Sequence, residues 1–274
     1  MTAHDITAAE RFVAKDQAIT ISGLVVLTLL AWIWMILGAG TGMSTIAMTT
    51  FEFPPPARPG MIMAWTPAYA VIMFFMWWVM MIAMMVPSAA PMILLYARVA
   101  RYAQRRGQME AGVLPTSAFV GGYLTSWFVF SLVATAAQWG FERAGLVHQM
   151  LMWSTSTTLT GILLVAAGLY QLTPLKSACL EHCRSPATYL SRHWRDGRGG
   201  AFRMGLAHGT YCLGCCAVLM ALLFAGGVMN LVWIAGLAIV VLIEKVAPWG
   251  AQFAQALAVL MVAAGGWMLL GGML

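Results

Sequence analysis

Pro67-Ala68-Tyr69-Ala70-Val71-Ile72-Met73-Phe74-Phe75-Met76-Trp77-Trp78-Val79-Met80-Met81-Ile82-Ala83-Met84-Met85-Val86 is the stretch whose reading decides the fold class. No charged side chain occurs from Pro67 to Ala97, and an α-helix needs roughly 20 apolar residues to cross the hydrocarbon of a bilayer. Working outward from this segment (67–97), six further stretches have the same character: 18–38, 116–138, 152–173, 203–225, 228–246 and 251–271. The composition agrees, with 61% hydrophobic and 9% charged residues and a mean hydropathy of +0.82. A soluble globule of this length needs more polar surface than that. The expected fold is all-α, a polytopic transmembrane helix bundle of about seven spans that forms one domain over residues 18–274. A short tail over residues 1–17 precedes it; its His4, Asp5, Glu10, Arg11, Lys15 and Asp16 do not fit a cleaved secretory signal.

The net charge of +6 has a simple origin. Arg98, Arg101, Arg105 and Arg106 follow the second expected span, and Lys176, Arg184, Arg192, Arg195, Arg198 and Arg203 lie between the fourth and fifth. Positive charge collects in cytoplasmic loops, so the lipid bilayer is the expected partner and no nucleic acid is. The loop with Arg143 against Glu142 and the uncharged turn at Gly226-Gly227 suit the opposite side, which puts the N-terminus in the cytoplasm and the C-terminus outside. The first outer loop, about 39–66, holds Phe53-Pro54-Pro55-Pro56 and Pro59-Gly60, which cannot continue a helix and suit a stiff cap. No internal repeat points to an inverted-repeat transporter.

All five cysteines fall between residues 179 and 216. They occur in two patterns, Cys179-Leu180-Glu181-His182-Cys183 and His208-Gly209-Thr210-Tyr211-Cys212-Leu213-Gly214-Cys215-Cys216, and each joins thiols to an imidazole. At about 100° per residue, His208, Cys212 and Cys215 share about 60° of helix arc, with Met204 close by and Cys216 at the edge. A helix that starts in the cytoplasm carries His208 and Cys212 in its inner half, on the side of Cys179 and Cys183. One composite metal centre is therefore expected, with Cys179, His182, Cys183, His208, Cys212 and Cys215 as candidate ligands and Cys216 as an alternate. Two blander readings stand beside it: helical cysteines serve as small packing residues, and a membrane histidine is also satisfied by a hydrogen bond to a neighbouring helix. A structural disulfide does not suit a reducing compartment. Glu244 and Lys245 either pair or snorkel at the interface, or Glu244 orients His208 as metal-bound imidazoles require.

Methionine is the second signal, 22 residues in all, with Met73, Met76, Met80, Met81, Met84, Met85 and Met92 on the second span. They form two neighbouring stripes, which read either as flexible packing or lipid-facing filler or as a relay of soft donors, with Met80 and Met84 as its sites. Thioether and thiolate together select copper(I) over hard cations; zinc is the alternative that cysteine and histidine also suit. Met43, Met48, Met61 and Met63 add thioethers to the outer loop. Pro87 and Pro91 should kink or unwind the inner half of the span and free carbonyls that need partners.

The segment Ala83 to Met92, the Cys179–Cys183 segment and the His208–Cys216 segment together resemble a bacterial family of predicted metal-binding integral membrane proteins of unknown function. The resemblance covers most of the chain from the second span onward. It implies a multi-pass protein of the bacterial inner (cytoplasmic) membrane with a metal site, and is silent on transport against catalysis. Three functions follow. The first is a copper(I) carrier or donor, working with a metallochaperone or a metal-receiving membrane protein. The second is a membrane thiol–disulfide oxidoreductase using Cys212 and Cys215 as a Cys-x-x-Cys pair. The third is a membrane metalloenzyme, for which only Glu181 and Glu244 offer acid–base groups. No nucleotide-binding motif is present, so ATP does not drive any transport directly.

Overall fold

A computed structural model describes residues 3–55, 64–105 and 114–271; Met61, Met63 and Arg106 lie outside the described residues. Among the described residues the regular elements are all helices. They are α1 (Ala3–Ile36), α2 (Pro67–Arg105), α3 (Leu114–Arg143), α4 (Thr157–Gln171), α5 (Pro174–Arg184), α6 (Pro186–His193), α7 (Gly197–Ala221), α8 (Leu223–Gly226), α9 (Leu231–Val246) and α10 (Gly250–Gly271).

Five of these are long and apolar enough to cross a membrane, within 17–36, 67–104, 115–143, 197–226 and 250–271, and α4 with α5 makes a sixth if a 65° bend is allowed inside one span. The expectation of about seven differs at two places, each with a local cause. Pro174 has no backbone N–H and Thr173 accepts from the Lys176 amide, so a new helix starts where hydropathy alone ran on. The segment expected over 228–246 becomes α9, only 16 residues long, because the Asn230 side chain caps it at one end through the Val232 amide (3.0 Å) and Pro248 follows its other. Between α8 and α9 the chain turns through Gly227 at φ +110°, a conformation that favours glycine. The segment read as an N-terminal tail is the first part of the continuous α1, whose apolar stretch begins at Gln17.

The α3–α7 and α4–α10 pairs pack closely enough to need glycine. On α7, a Cβ on Gly205 would strike the Phe119 carbonyl of α3 and one on Gly209 the Ser126 hydroxyl; on α3, one on Gly122 would strike the Phe202 carbonyl. The four-residue spacings of Gly205 with Gly209 and Gly122 with Ser126 put small residues on one stripe of each helix, which lets the two backbones approach closely. Gly161 and Gly168 of α4 meet Gly265 and Ala258 of α10 in the same way, with a Cβ on Gly168 only 2.7 Å from the Ala258 carbonyl.

The interior is dominated by sulfur and aromatic rings. All seven methionines of α2 are buried, together with Met35, Met48, Met152, Met204, Met220, Met229 and Met261, which removes the lipid-facing reading of the stripes. The bundle's outer faces are apolar instead through branched residues: Val25, Val26, Leu29, Leu30 and Ile33 on α1, Val129, Leu132 and Val133 on α3, and Val259 and Leu260 on α10 are exposed. Apolar faces of this extent need a covering phase. Pro87 and Pro91 lie inside a continuous α2. Pro87 deprives the Ala83 carbonyl of its helical donor, and the Trp32 indole of α1 supplies one at 3.2 Å.

Candidate metal centre

α7 presents Met204, His208, Cys212, Cys215, Cys216 and Leu219 to the interior, the face expected from their spacing. α5 lies against the same turns. Cys183 Sγ is 3.9 Å from Cys215 Sγ. Cys179 sits over Gly214, where a Cβ would come within 2.5 Å of its sulfur; the Tyr170 hydroxyl bonds to the carbonyl of the same glycine. Glycine there is what lets the two helices bring their cysteines into one neighbourhood. All five thiols are free, with Cys212, Cys215 and Cys216 buried and Cys179 and Cys183 half-buried.

The thiols are not converged on a common point. Among the described residues, no three His, Cys, Asp or Glu side chains form a group able to hold a metal ion. The reason is local: Cys215 and Cys216 direct their S–H groups to the Cys212 carbonyl at 3.1 and 2.8 Å, so each sulfur is turned along its own helix. Such bonds are ordinary for helical thiols and hydroxyls, and a change of χ1 rotamer releases them.

His208 is 2% exposed and its Nδ1 has no hydrogen-bond partner. Phe119, Tyr123 and Tyr189 wall it in, with ring centroids 5.8–6.3 Å away. The Tyr189 hydroxyl donates to the Met204 carbonyl at 2.9 Å, and burial raises its pKa to about 12. An unpartnered imidazole nitrogen in an apolar cage is costly unless something else takes its lone pair. It fits a soft metal ion, as do the thiols beside it. His182 is placed differently: its ring stacks on Tyr211 at 4.1 Å, and its Nδ1 bonds to the Ala178 carbonyl at 2.8 Å.

Glu244 does not orient His208. One of its oxygens takes the Lys176 ammonium at 2.6 Å and the other the Gln171 amide at 2.6 Å, a pair 2% exposed on both sides. Arg184 then closes the end of α9 by donating to the carbonyls of Glu244 and Ala247 at 2.6 and 2.8 Å. These bonds fix α5, and hence Cys179 and Cys183, against α9. Three groups at the centre make contacts that the sequence does not anticipate: Lys245 is expected to pair or snorkel at the interface, Lys176 to be a loop charge, and Tyr123 carries no expectation. Lys245 Nζ lies 3.0 Å from Cys212 Sγ and 3.1 Å from Ser88 Oγ, and the Tyr123 hydroxyl lies 3.2 Å from both Cys212 Sγ and the Met85 carbonyl. Lys176 is the third; its signal was a lysine placed after an apolar run, the same signal that Lys245 gives inside α9.

The thiols continue into the methionine interior. Cys216 Sγ is 3.8 Å from Met85 Sδ, and on the same helix Met84, next to Met85, and Met80, about one and a half turns away, are buried. Farther along α2, Met73 Sδ receives the Gln138 amide at 3.6 Å.

The sequence model of one family, PpoB2, described as copper chaperone, matches residues 74–268. That range holds all five cysteines, His182, His208, Pro87 and Pro91. No curated protein matches the chain, and no solved structure does.

Proposed function

The chain belongs to the PpoB2 copper chaperone family, and from that premise we propose that it is an integral membrane protein that holds copper(I) at the α5–α7 thiols and passes it to a metal-receiving membrane protein. Cys212, Cys215, Cys183 and Cys179 are the proposed thiolate donors, with Cys216 as an alternate and His208 as the imidazole; His182 is a donor only if it leaves its stack on Tyr211. Met80 and Met84 are proposed relay sites. In this reading the protein lies in the bacterial inner membrane with its N-terminus and the thiol end toward the cytoplasm.

The observation that carries the proposal is the meeting of soft donors from three separate elements: Cys183 of α5 beside Cys215 of α7 at 3.9 Å, and Cys216 of α7 beside Met85 of α2 at 3.8 Å. Neutral thioethers exchange a copper(I) ion readily, whereas thiolates hold it more firmly, so a buried thioether column that ends on thiols orders weak sites before strong ones. The orphaned Nδ1 of His208 supports the same chemistry, since a copper(I) ion takes the lone pair without requiring a hydrogen-bond donor.

The test is metal content. The detergent-solubilised chain, purified anaerobically under reducing conditions and reconstituted with copper(I), is expected to carry the ion stoichiometrically, and the double variant His208→Ala, Cys212→Ser to lose it. No bound copper in the unsubstituted chain would sink the proposal. Rapid thiol–disulfide exchange at Cys212 and Cys215 in that same copper-free chain would favour the oxidoreductase reading, and zinc in place of copper the metalloenzyme one.

A further inference from the structure

Lys245 is the least expected group at the thiol centre. It is the only charged residue of α9 apart from Glu244, and it is 8% exposed. Its position is specified on two sides: Nζ is 3.0 Å from Cys212 Sγ and donates to Ser88 Oγ at 3.1 Å, while Ser88 is itself anchored by donating to the Met85 carbonyl at 2.9 Å. The carboxylate next to it in sequence is already committed, because Glu244 points about 100° away around the helix and both its oxygens are taken by Lys176 and Gln171. Among the described residues Lys245 joins no ion pair with a carboxylate, and the anion-forming group it touches is the Cys212 thiol.

A buried ammonium without a carboxylate is expensive, and a packing role does not need one, since a methionine would fill the same volume. We propose that Lys245 is a tethered cation of the thiol centre that biases it toward monovalent soft metal ions over divalent ones. The inference rests on the reading of the thiols as metal ligands. Held by the same set of thiolates, a dication is repelled by a fixed positive charge with twice the energy of a monocation at the same place. With the same thiols engaged, the cost of deprotonating them is common to both ions and drops out of the comparison. The ammonium thus acts on valence separately from softness, which the sulfur donors already set.

Silver(I) and cadmium(II) separate these two properties, since both favour thiolates and they differ in charge. The affinities of the full chain for each, measured by chelator competition without oxygen, give a silver-to-cadmium ratio. In Lys245→Met that ratio is expected to move toward cadmium by at least about tenfold, whereas Lys245→Arg, which keeps the charge, stays within about threefold of the unsubstituted chain. Should Lys245→Met fail to accumulate, Ser88→Ala, which frees the ammonium from its fixed position, is expected to move the ratio the same way by about threefold. An unchanged ratio in the interpretable variant overturns the proposal and leaves the copper reading intact. Failure of the unsubstituted chain to bind either ion overturns both.

Discussion

The two ends of α3 stand beside two buried polar clusters that are built on opposite principles. Near Gln138 every polar atom of the cluster is answered by another side chain: the Trp77 indole donates to Gln138 at 2.7 Å, Gln138 donates to Glu142 at 2.8 Å, and the Trp65 indole donates to the second Glu142 oxygen at 2.7 Å. Near Tyr123, about 22 Å away along the helix, the polar groups are under-answered. His208 Nδ1 has no partner, the Cys215 and Cys216 thiols bond back to their own helix, and a lysine leans on the Cys212 sulfur. A saturated cluster specifies packing. An unsaturated one in an equally buried place is tolerated where it has another use, and the methionines of α2 span the distance between the two.

The sharpest way to break this contrast is to remove one donor at each end. Cys212→Ser is expected to weaken copper(I) binding by at least about a hundredfold, read by chelator competition, while Gln138→Leu leaves that affinity within about threefold. Stability should respond in the opposite sense. Gln138→Leu strips partners from the Trp77 indole and one Glu142 oxygen and is expected to cost about 2 kcal/mol or more, seen as a lower unfolding temperature in detergent. His208→Phe removes an unsatisfied buried nitrogen, so the metal-free protein should unfold within about 1 kcal/mol of the unsubstituted one or become slightly more stable, even as copper is lost; a large destabilisation would mean that His208 is a structural residue. The smallest effect belongs between the ends. Met80→Leu nearly conserves volume and should change stability by less than about 1.5 kcal/mol, with copper affinity at the thiols unaltered and only the rate of metal transfer reduced.

Parts of this arrangement were legible in the sequence. The face shared by His208, Cys212 and Cys215 follows from their spacing alone, because one helix fixes relative positions within itself. The approach of α5 to α7 was readable only as a neighbourhood, since the seat of Cys179 on Gly214 depends on a backbone break at Thr173-Pro174 that an apolar-run reading passes over. Whether the methionine stripes of α2 face outward or inward could not be told from periodicity, as both stripes turned out to be buried while the same helix exposes Val71 and Phe75. Glu244 and Lys245 were noticed together, but adjacent helical residues face different neighbours, and which neighbours these are is decided by α4, α5 and α2. Tyr123, an ordinary aromatic in an apolar helix, gave no signal at all.

The indole of Trp32 on the carbonyl of Ala83 ties α1 into the interior more tightly than its exposed flank suggests. The proline at 87 leaves a hole in the hydrogen-bond ladder of α2, one turn from Met84 and Met85, and the missing rung is lent by another helix. The segment that holds the methionine column in register is therefore completed by a residue outside the family-matched range. Whatever shifts α1 along its axis withdraws that rung and loosens the turn of α2 against which Cys216 rests.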